Sequence, residues 1–325
     1  EVIGFKFSLG RLNFQGGGII NTRQPTPCTR NPKLLSYICS LLARTYAGFQ
    51  KFMMNILEQL RETTSYIQKL YPHTPEVGII LGSGLGNLTA EIQVEKEIEY
   101  KDIPHFPQST VEGHQGKLIL GELNGKRVAA MAGRFHYYEG YSAEQVVYPV
   151  RALKFLGIKN LLVSNAAGGV NPSFRIGDLM IIRDHISLVT VNPLLGKNYE
   201  ELGPRFPDMS EPYKKELIEK VKKVADKLQI PVKEGVYFGV TGPTFETRAE
   251  YKMIHILGAD AVGMSTVQEV ITAVHMGLPV VAISVITDLG IRDDDNVITH
   301  DEVLHEAKLA EPKLTAIFKN LVAEL

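Results

Sequence analysis

Four short stretches of this 325-residue sequence carry side chains suited to holding an anion, and two more carry carboxylates. The first is Leu81-Gly82-Ser83-Gly84-Leu85-Gly86, directly after an apolar run at 77–81. Its glycines let the main chain turn sharply and approach an anion, offering N–H groups and the Ser83 hydroxyl. The spacing is one residue short of the dinucleotide fingerprint, and no P-loop lysine follows. The second is Gly133-Arg134-Phe135-His136-Tyr137-Tyr138-Glu139-Gly140-Tyr141. On an extended segment alternate side chains share a face, so Arg134, His136 and Tyr138 project together. Arg134 brings a planar fork for a phosphate or carboxylate, and His136 a second donor. A surface ion pair over an aromatic cluster explains the same residues equally well.

The third stretch, Ser164-Asn165-Ala166-Ala167-Gly168-Gly169, is read as following an apolar strand at 161–163. Small residues there let a ligand lie against main-chain N–H groups. The fourth, Val262-Gly263-Met264-Ser265-Thr266, sits at a strand end before a helix that begins near Gln268. Ser265 is a further donor, while Met264 is either an adaptable apolar surface or plain core. The carboxylates are Glu246, in Gly242-Pro243-Thr244-Phe245-Glu246-Thr247, and Asp288, in Ile286-Thr287-Asp288-Leu289. Phe245 suits the face of an aromatic base and Glu246 suits its N–H donors, although a first-turn acid also commonly caps a helix. Thr299-His300-Asp301-Glu302 has the capping-box pattern and sets His300 on the first turn of the last helix. The polar loop before it, 290–298, is of the kind that closes over a site or is simply solvated.

These residues need a frame. From Asn55 onward, Ile56, Leu57, Leu60, Ile67 and Leu70 approximate a helical stripe that Pro72 ends. Strand-like runs follow at 77–81, 118–121, 128–131, 161–164, 179–182, 236–240 and 280–286. Helical patterns at 144–156, 211–228 and 247–257 lie among them. That alternation predicts an α/β fold, a single domain with a central mixed sheet flanked by helices. Residues 1–53 read differently: three consecutive glycines, an aperiodic Pro/Thr/Asn stretch at 21–32, and an apolar segment at 34–43. They are expected to be a poorly ordered extension, with 54–325 as the working domain. A net charge of −1 provides no general field for nucleic acid or an anionic membrane, so any anion must be captured locally. The two cysteines, Cys28 and Cys39, neither staple the chain nor suggest a metal site, and their scarcity fits a cytoplasmic location. No apolar run reaches membrane-spanning length.

Taken in order, the motifs GSGLG, FPQSTVEGHQGKL, GRFHYYEGY, NAAGGVNP, RFPDMS, GPTFET and GADAVGMSTVQEV closely resemble the trimeric purine nucleoside phosphorylases. The likeness runs from about Met54 to the C-terminus. It implies a phosphate site of Ser83, Arg134, His136, the Ala166 N–H and Ser265, with His114 nearby. It implies ribose contacts from Tyr138, Met264 and His300, the last directed at the 5′-hydroxyl. The base pocket would be Phe245, Glu246 and Asp288. Phe206 matches a phenylalanine lent to a neighbouring subunit's site, so a complete site would need the homotrimer. The implied reaction is reversible phosphorolysis of purine nucleosides to α-ribose 1-phosphate and free base, with catalytic roles for His136, Glu246, Asp288 and His300. No metal or cofactor is implied, and phosphate is the co-substrate.

Asp288 departs from the pattern, because many 6-oxopurine-specific members have asparagine there. Asparagine donates to N7 or O6, whereas an ionised aspartate only accepts. Either Asp288 is protonated and acts as general acid toward N7, or it accepts from a 6-amino group. Glu246 favours inosine and guanosine, which carry N1–H. A methylthioadenosine phosphorylase suits Asp288, but not Glu246 or His300. A catalytically inert nucleoside binder would have no need of the phosphate set, and a Rossmann oxidoreductase fails on glycine spacing.

Overall fold

The computed structural model describes residues 54–108, 115–291 and 298–325. The expectations for 1–53, for His114 and for most of the polar loop before His300 fall outside the described residues. The described residues open on helix α1 (Ile56–Leu70), where Asn55 accepts from the N–H groups of Leu57 and Glu58 and Glu58 completes the capping box. Leu57, Leu60 and Ile67 of the anticipated stripe are buried, whereas Leu70 is exposed at the frayed end.

Among the described residues nine strands follow in one mixed sheet: β1 (Val77–Ile80), β2 (Gln93–Glu99), β3 (Lys117–Leu123), β4 (Lys126–Ala132), β5 (Asn160–Gly169), β6 (Leu179–Ile186), β7 (Val232–Gly239), β8 (Ala261–Gly263) and β9 (Val280–Leu289). Their order is β2-β3-β4-β1-β5-β8-β7-β6-β9, and β9 also pairs with β5. The last five strands therefore close into a small barrel, while β2, β3, β4 and β1 extend from it as an open flank. β1, β4, β5 and β9 run parallel to one another, and β1 and most of β5 and β9 are buried on both faces, as continuous apolar runs in parallel sheets should be.

Five further helices among the described residues cover the sheet: α2 (Ala143–Leu156), α3 (Lys215–Lys227), α4 (Arg248–Ile256), α5 (Val267–His275) and α6 (His300–Ala323). Three of the four helices α1, α2, α4 and α6 that begin with a capping box use Ser or Thr as the cap, namely Ser142, Thr247 and Thr299. α3 starts later than its periodicity suggests, at Lys215 rather than at 211. Glu211 instead reaches forward to accept the Lys215 N–H at 2.9 Å. Among the described residues no helix is long and apolar enough to cross a membrane.

Candidate active site

The parallel strands β1, β4, β5 and β9 all point their C-terminal ends at one cavity of about 520 Å³, the place where α/β sheets commonly carry ligands. Gly82, Ser83, Arg134, His136, Ala166 and Ser265 line one side of it. Tyr138, Phe245, Glu246, Met264, Asp288 and His300 line the rest. Among the described residues, the pocket thus gathers every anticipated site residue except Phe206.

The anion side is built by close approach of backbones. A side chain at Gly82 would come within 2.8 Å of the Asn165 Cα, so only glycine lets the β1 turn lie against β5. The Gly82 N–H donates to Ser164 Oγ at 3.2 Å across that contact. The small-residue stretch 164–169, read from sequence as following a strand at 161–163, is the end of β5 itself. Its two glycines take up the antiparallel partner β8, with a register shift where β9 passes Gly168.

Arg134 is 1% exposed, and protein partners face its guanidinium on several sides. Nη1 donates to Ser265 Oγ at 2.8 Å and Thr266 Oγ1 at 3.3 Å, Nη2 to the carbonyl of Ser164 at 2.6 Å, and Nε faces Glu269 Oε1 at 3.4 Å. Arg134 thus lines the cavity as a cation fixed by protein acceptors, with the Ser265 hydroxyl oriented by it. Such fixed charge costs no reorganisation when an anion arrives.

Ser265 and Thr266 sit on a strained turn. Thr266 has φ 71° and ψ −51°, and the Val267 N–H donates to the Ser265 carbonyl at 2.7 Å. That is a γ-turn of the rare positive-φ kind, here on a β-branched residue. Thr266 is held there by its hydroxyl, which accepts from Asn165 Nδ2 at 2.8 Å. Strain of this type costs about 1–3 kcal/mol and gathers at functional sites.

His136 is buried, stacked on Tyr138 with ring centroids 4.7 Å apart. The His136 backbone N–H donates to Glu139 Oε1 at 2.7 Å, and the same oxygen lies 3.3 Å from the ring Nδ1. Burial lowers the imidazole pKa, the Glu139 hydrogen bond partly opposes this, and Arg134 lowers it further, so the neutral ring is favoured. Tyr138 belongs to a short 3-10 turn, not to the extended segment, yet still reaches the pocket. Its phenol is pushed up to about 12, chiefly by burial.

Across the cavity lie the carboxyls. Glu246 does not cap a helix: Thr247 is the cap of α4 and Glu250 its capping acid, one residue and four residues further on. Glu246 is left to face the pocket, where burial raises its pKa. Asp288, 7% exposed, accepts from Thr287 Oγ1 at 3.1 Å and from the Tyr251 hydroxyl at 3.4 Å. His300 stands at the mouth on the first turn of α6, anchored by the Thr299–Glu302 box. Phe206 is 88% exposed and lies away from this cavity.

Three residues of the site went unnoticed in the sequence: Glu269, Glu139 and Tyr251. Glu139 was visible within its motif, three residues after His136, as a capping acid. Glu269 and Tyr251 sit on helices α5 and α4 and reach the site only through tertiary packing.

A cavity with a fixed cation and hydroxyl donors on one wall and two carboxyls beside a phenylalanine on the other defines an enzyme that brings an oxyanion to a polar aromatic substrate. The chain belongs to the phosphorylase superfamily, whose family model matches residues 76–323. It is 49% identical over 267 residues to purine nucleoside phosphorylase 1 of Bacillus subtilis, covering 82% of this chain and 98% of that protein. Two crystal structures of Schistosoma mansoni purine nucleoside phosphorylase each superpose with a TM-score of 0.79 at 42% identity. One, of isoform 2 with cytosine and ribose-1-phosphate, covers 82% of this chain and 96% of that one; the other, with adenosine, covers 82% and 97%.

Proposed function

We propose that this chain catalyses reversible phosphorolysis of purine nucleosides, giving free base and α-ribose 1-phosphate, with inosine and guanosine preferred. The observation that carries it is one cavity lined both by the anion-holding set Ser83, Arg134, His136 and Ser265 and by Phe245 with the carboxyls Glu246 and Asp288. The relatives named above act on or bind the molecules such a cavity suits.

Phosphate lies against Ser83, Ser265, His136 and the Ala166 N–H, above the charge of Arg134, with His114 assigned to the same site on resemblance alone. The ribose lies on Tyr138 and Met264, with His300 at its 5′-hydroxyl; that contact disfavours a methylthio substrate. Phe245 covers the purine, and Glu246 and Asp288 hold its edge. Phosphate attacks C1′ as the glycosidic bond breaks, so positive charge grows on the sugar and negative charge on the purine. The bound dianion faces the first, and a proton donor at N7 relieves the second. None of these steps calls for a metal or a cofactor, and phosphate is the second substrate.

The residue 54–325 segment carries this activity in the cytoplasm as a homotrimer, Phe206 serving a neighbouring site. Its outward-facing ring, with exposed Leu188, Val189 and Leu195 on the same stretch of chain, supports that assignment. The deciding assay is cleavage of inosine, guanosine, adenosine and methylthioadenosine with and without phosphate. Equal product without phosphate would refute phosphorolysis, and methylthioadenosine as best substrate would refute the role given to His300.

A further inference from the structure

Tyr251 has no part in the reaction as described, yet it stands with both base-pocket carboxyls in the cavity lining. Its hydroxyl lies 3.4 Å from Asp288 Oδ2, and the Glu246 carboxyl lines the same cavity, its charge acting on that hydroxyl. The ring is seated in a slot made for it. A side chain at Gly290 would meet ring carbon Cδ1 at 2.0 Å, and one at Gly168 would meet the hydroxyl at 3.2 Å and Asp288 Oδ2 at 3.0 Å. The ring also packs among Val170, Phe238, Ile254 and Val262, and the residue is 3% exposed. The charges acting on its hydroxyl are Asp288 and Glu246, while Glu250 acts on Glu246 from the first turn of α4 and His300 stands at the cavity mouth.

A phenol has one proton. Between two ionised carboxylates it donates to one and turns a lone pair toward the other. Both contacts are satisfied when one carboxyl keeps a proton, and the phenol then donates to whichever is charged. Two arrangements have this proton count: Asp288 protonated with Glu246 ionised, or the reverse. They interconvert as the carboxyl proton passes to the phenol oxygen and the phenol proton passes to the other carboxylate. Two O–H bonds break and two form, the negative charge crosses in the opposite sense, and no proton enters or leaves. Burial, with the Asp288 charge adding to it, raises the Glu246 pKa.

We propose that Tyr251 is a positioning residue that makes Glu246 and Asp288 a one-proton unit readable in two ways, so that the pocket takes 6-oxopurine nucleosides and, as second substrates, 6-aminopurine nucleosides. This rests on the phosphorolysis reading above. In the first arrangement Glu246 accepts the N1–H of inosine and Asp288 donates at N7. In the second Glu246 donates to N1 of adenosine and Asp288 accepts from its 6-amino group. Both complexes carry the same number of protons, so both nucleosides are turned over in the same pH window.

The test is kcat/KM for inosine and for adenosine at saturating phosphate, measured from about pH 5 to pH 10 on the full chain and on Tyr251→Phe. Phenylalanine keeps the ring in its slot and removes only the link. The bridge stabilises the one-proton form alone, so its loss moves the acid limb up and the alkaline limb down, by about one pH unit each, for both substrates. The KM for phosphate stays put. Adenosine left uncleaved while inosine is cleaved overturns the proposal, as do limbs for the two nucleosides displaced by a unit or more. Unmoved limbs in a folded Tyr251→Phe variant also overturn it; if that variant does not fold, the comparison of the two unmutated profiles decides. Failure to cleave either nucleoside refutes the phosphorolysis reading instead.

Discussion

The ion pair beneath the pocket floor makes a sharp prediction for Glu269→Gln. Arg134 and Glu269 are 1% and 5% exposed at the side chain, with Nε and Oε1 3.4 Å apart. Removing one partner of a buried pair outright costs about 3–5 kcal/mol. Glutamine keeps the volume and one hydrogen-bonding oxygen, so the lower figure, about 3 kcal/mol, is expected. For a domain of this size that lowers Tm by roughly 6–12 °C. The guanidinium should stay in place, because Ser164, Ser265 and Thr266 still hold its Nη atoms. Phosphate then arrives at a cation that no longer has its counter-charge. A unit charge at roughly 6 Å and an effective dielectric of about 20 is worth about 3 kcal/mol. If a third of that is realised, phosphate binds roughly fivefold tighter to the variant. Thermal melts with and without phosphate should therefore show a lower starting Tm and a larger phosphate-induced rise than in the unmutated chain. A variant as stable as its parent, or one for which phosphate restores no extra stability, would show that Glu269 does not balance Arg134.

Other outcomes follow from the same geometry. Arg134→Ala should lower kcat/KM for phosphate by about 10²-fold or more, and a variant with an unchanged phosphate dependence would remove Arg134 from the site. Asp288→Asn should keep inosine turnover within about tenfold and abolish adenosine turnover, since the amide donates at N7 but has no second protonation state; adenosine activity that survives in a steady-state assay refutes that assignment. His136, His185 and His275 all have pKa values lowered first of all by burial. A lowered folded pKa means that the unfolded chain binds more protons as pH falls below about 6.5, so stability is lost on acidification through that range and is full above it. Melts between about pH 7.5 and 5.5 should show the decline, and His136→Asn should make it shallower; an unaltered slope would place the effect elsewhere.

Strands buried on both faces announced themselves as apolar runs, and so β1, β4 and the barrel strands other than β8 were foreseeable from sequence. β2 was not. Its residues Gln93-Val94-Glu95-Lys96-Glu97-Ile98-Glu99 present charges on an exposed edge, where pairing with β3 rather than burial fixes the strand. β8 is three residues long and is defined by its neighbours β5 and β7. The site was legible where its residues follow one another along a strand end, as at 133–138 and 262–266. Tyr251 and Glu269 were hidden because each is one turn-facing position on an amphipathic helix, where sequence shows only core and cap. The engaged state of Arg134 was hidden for a different reason: its acceptors at Ser164, Ser265 and Glu269 come from distant parts of the chain and meet only after the barrel closes.

Strand β5 carries the pocket floor and is hydrogen-bonded to β1, β8 and β9. Residues 161–163, flanked by β1 and β9 just before the floor, are thus woven into the most interlocked part of the sheet. In deuterium exchange their amides should be among the last in the molecule to give up their protons, as slow as the innermost core. The cavity wall that yields to admit a nucleoside must then be the opposite one, the rim of Phe245 and His300, so a rigid floor assigns substrate entry and product exit to that rim.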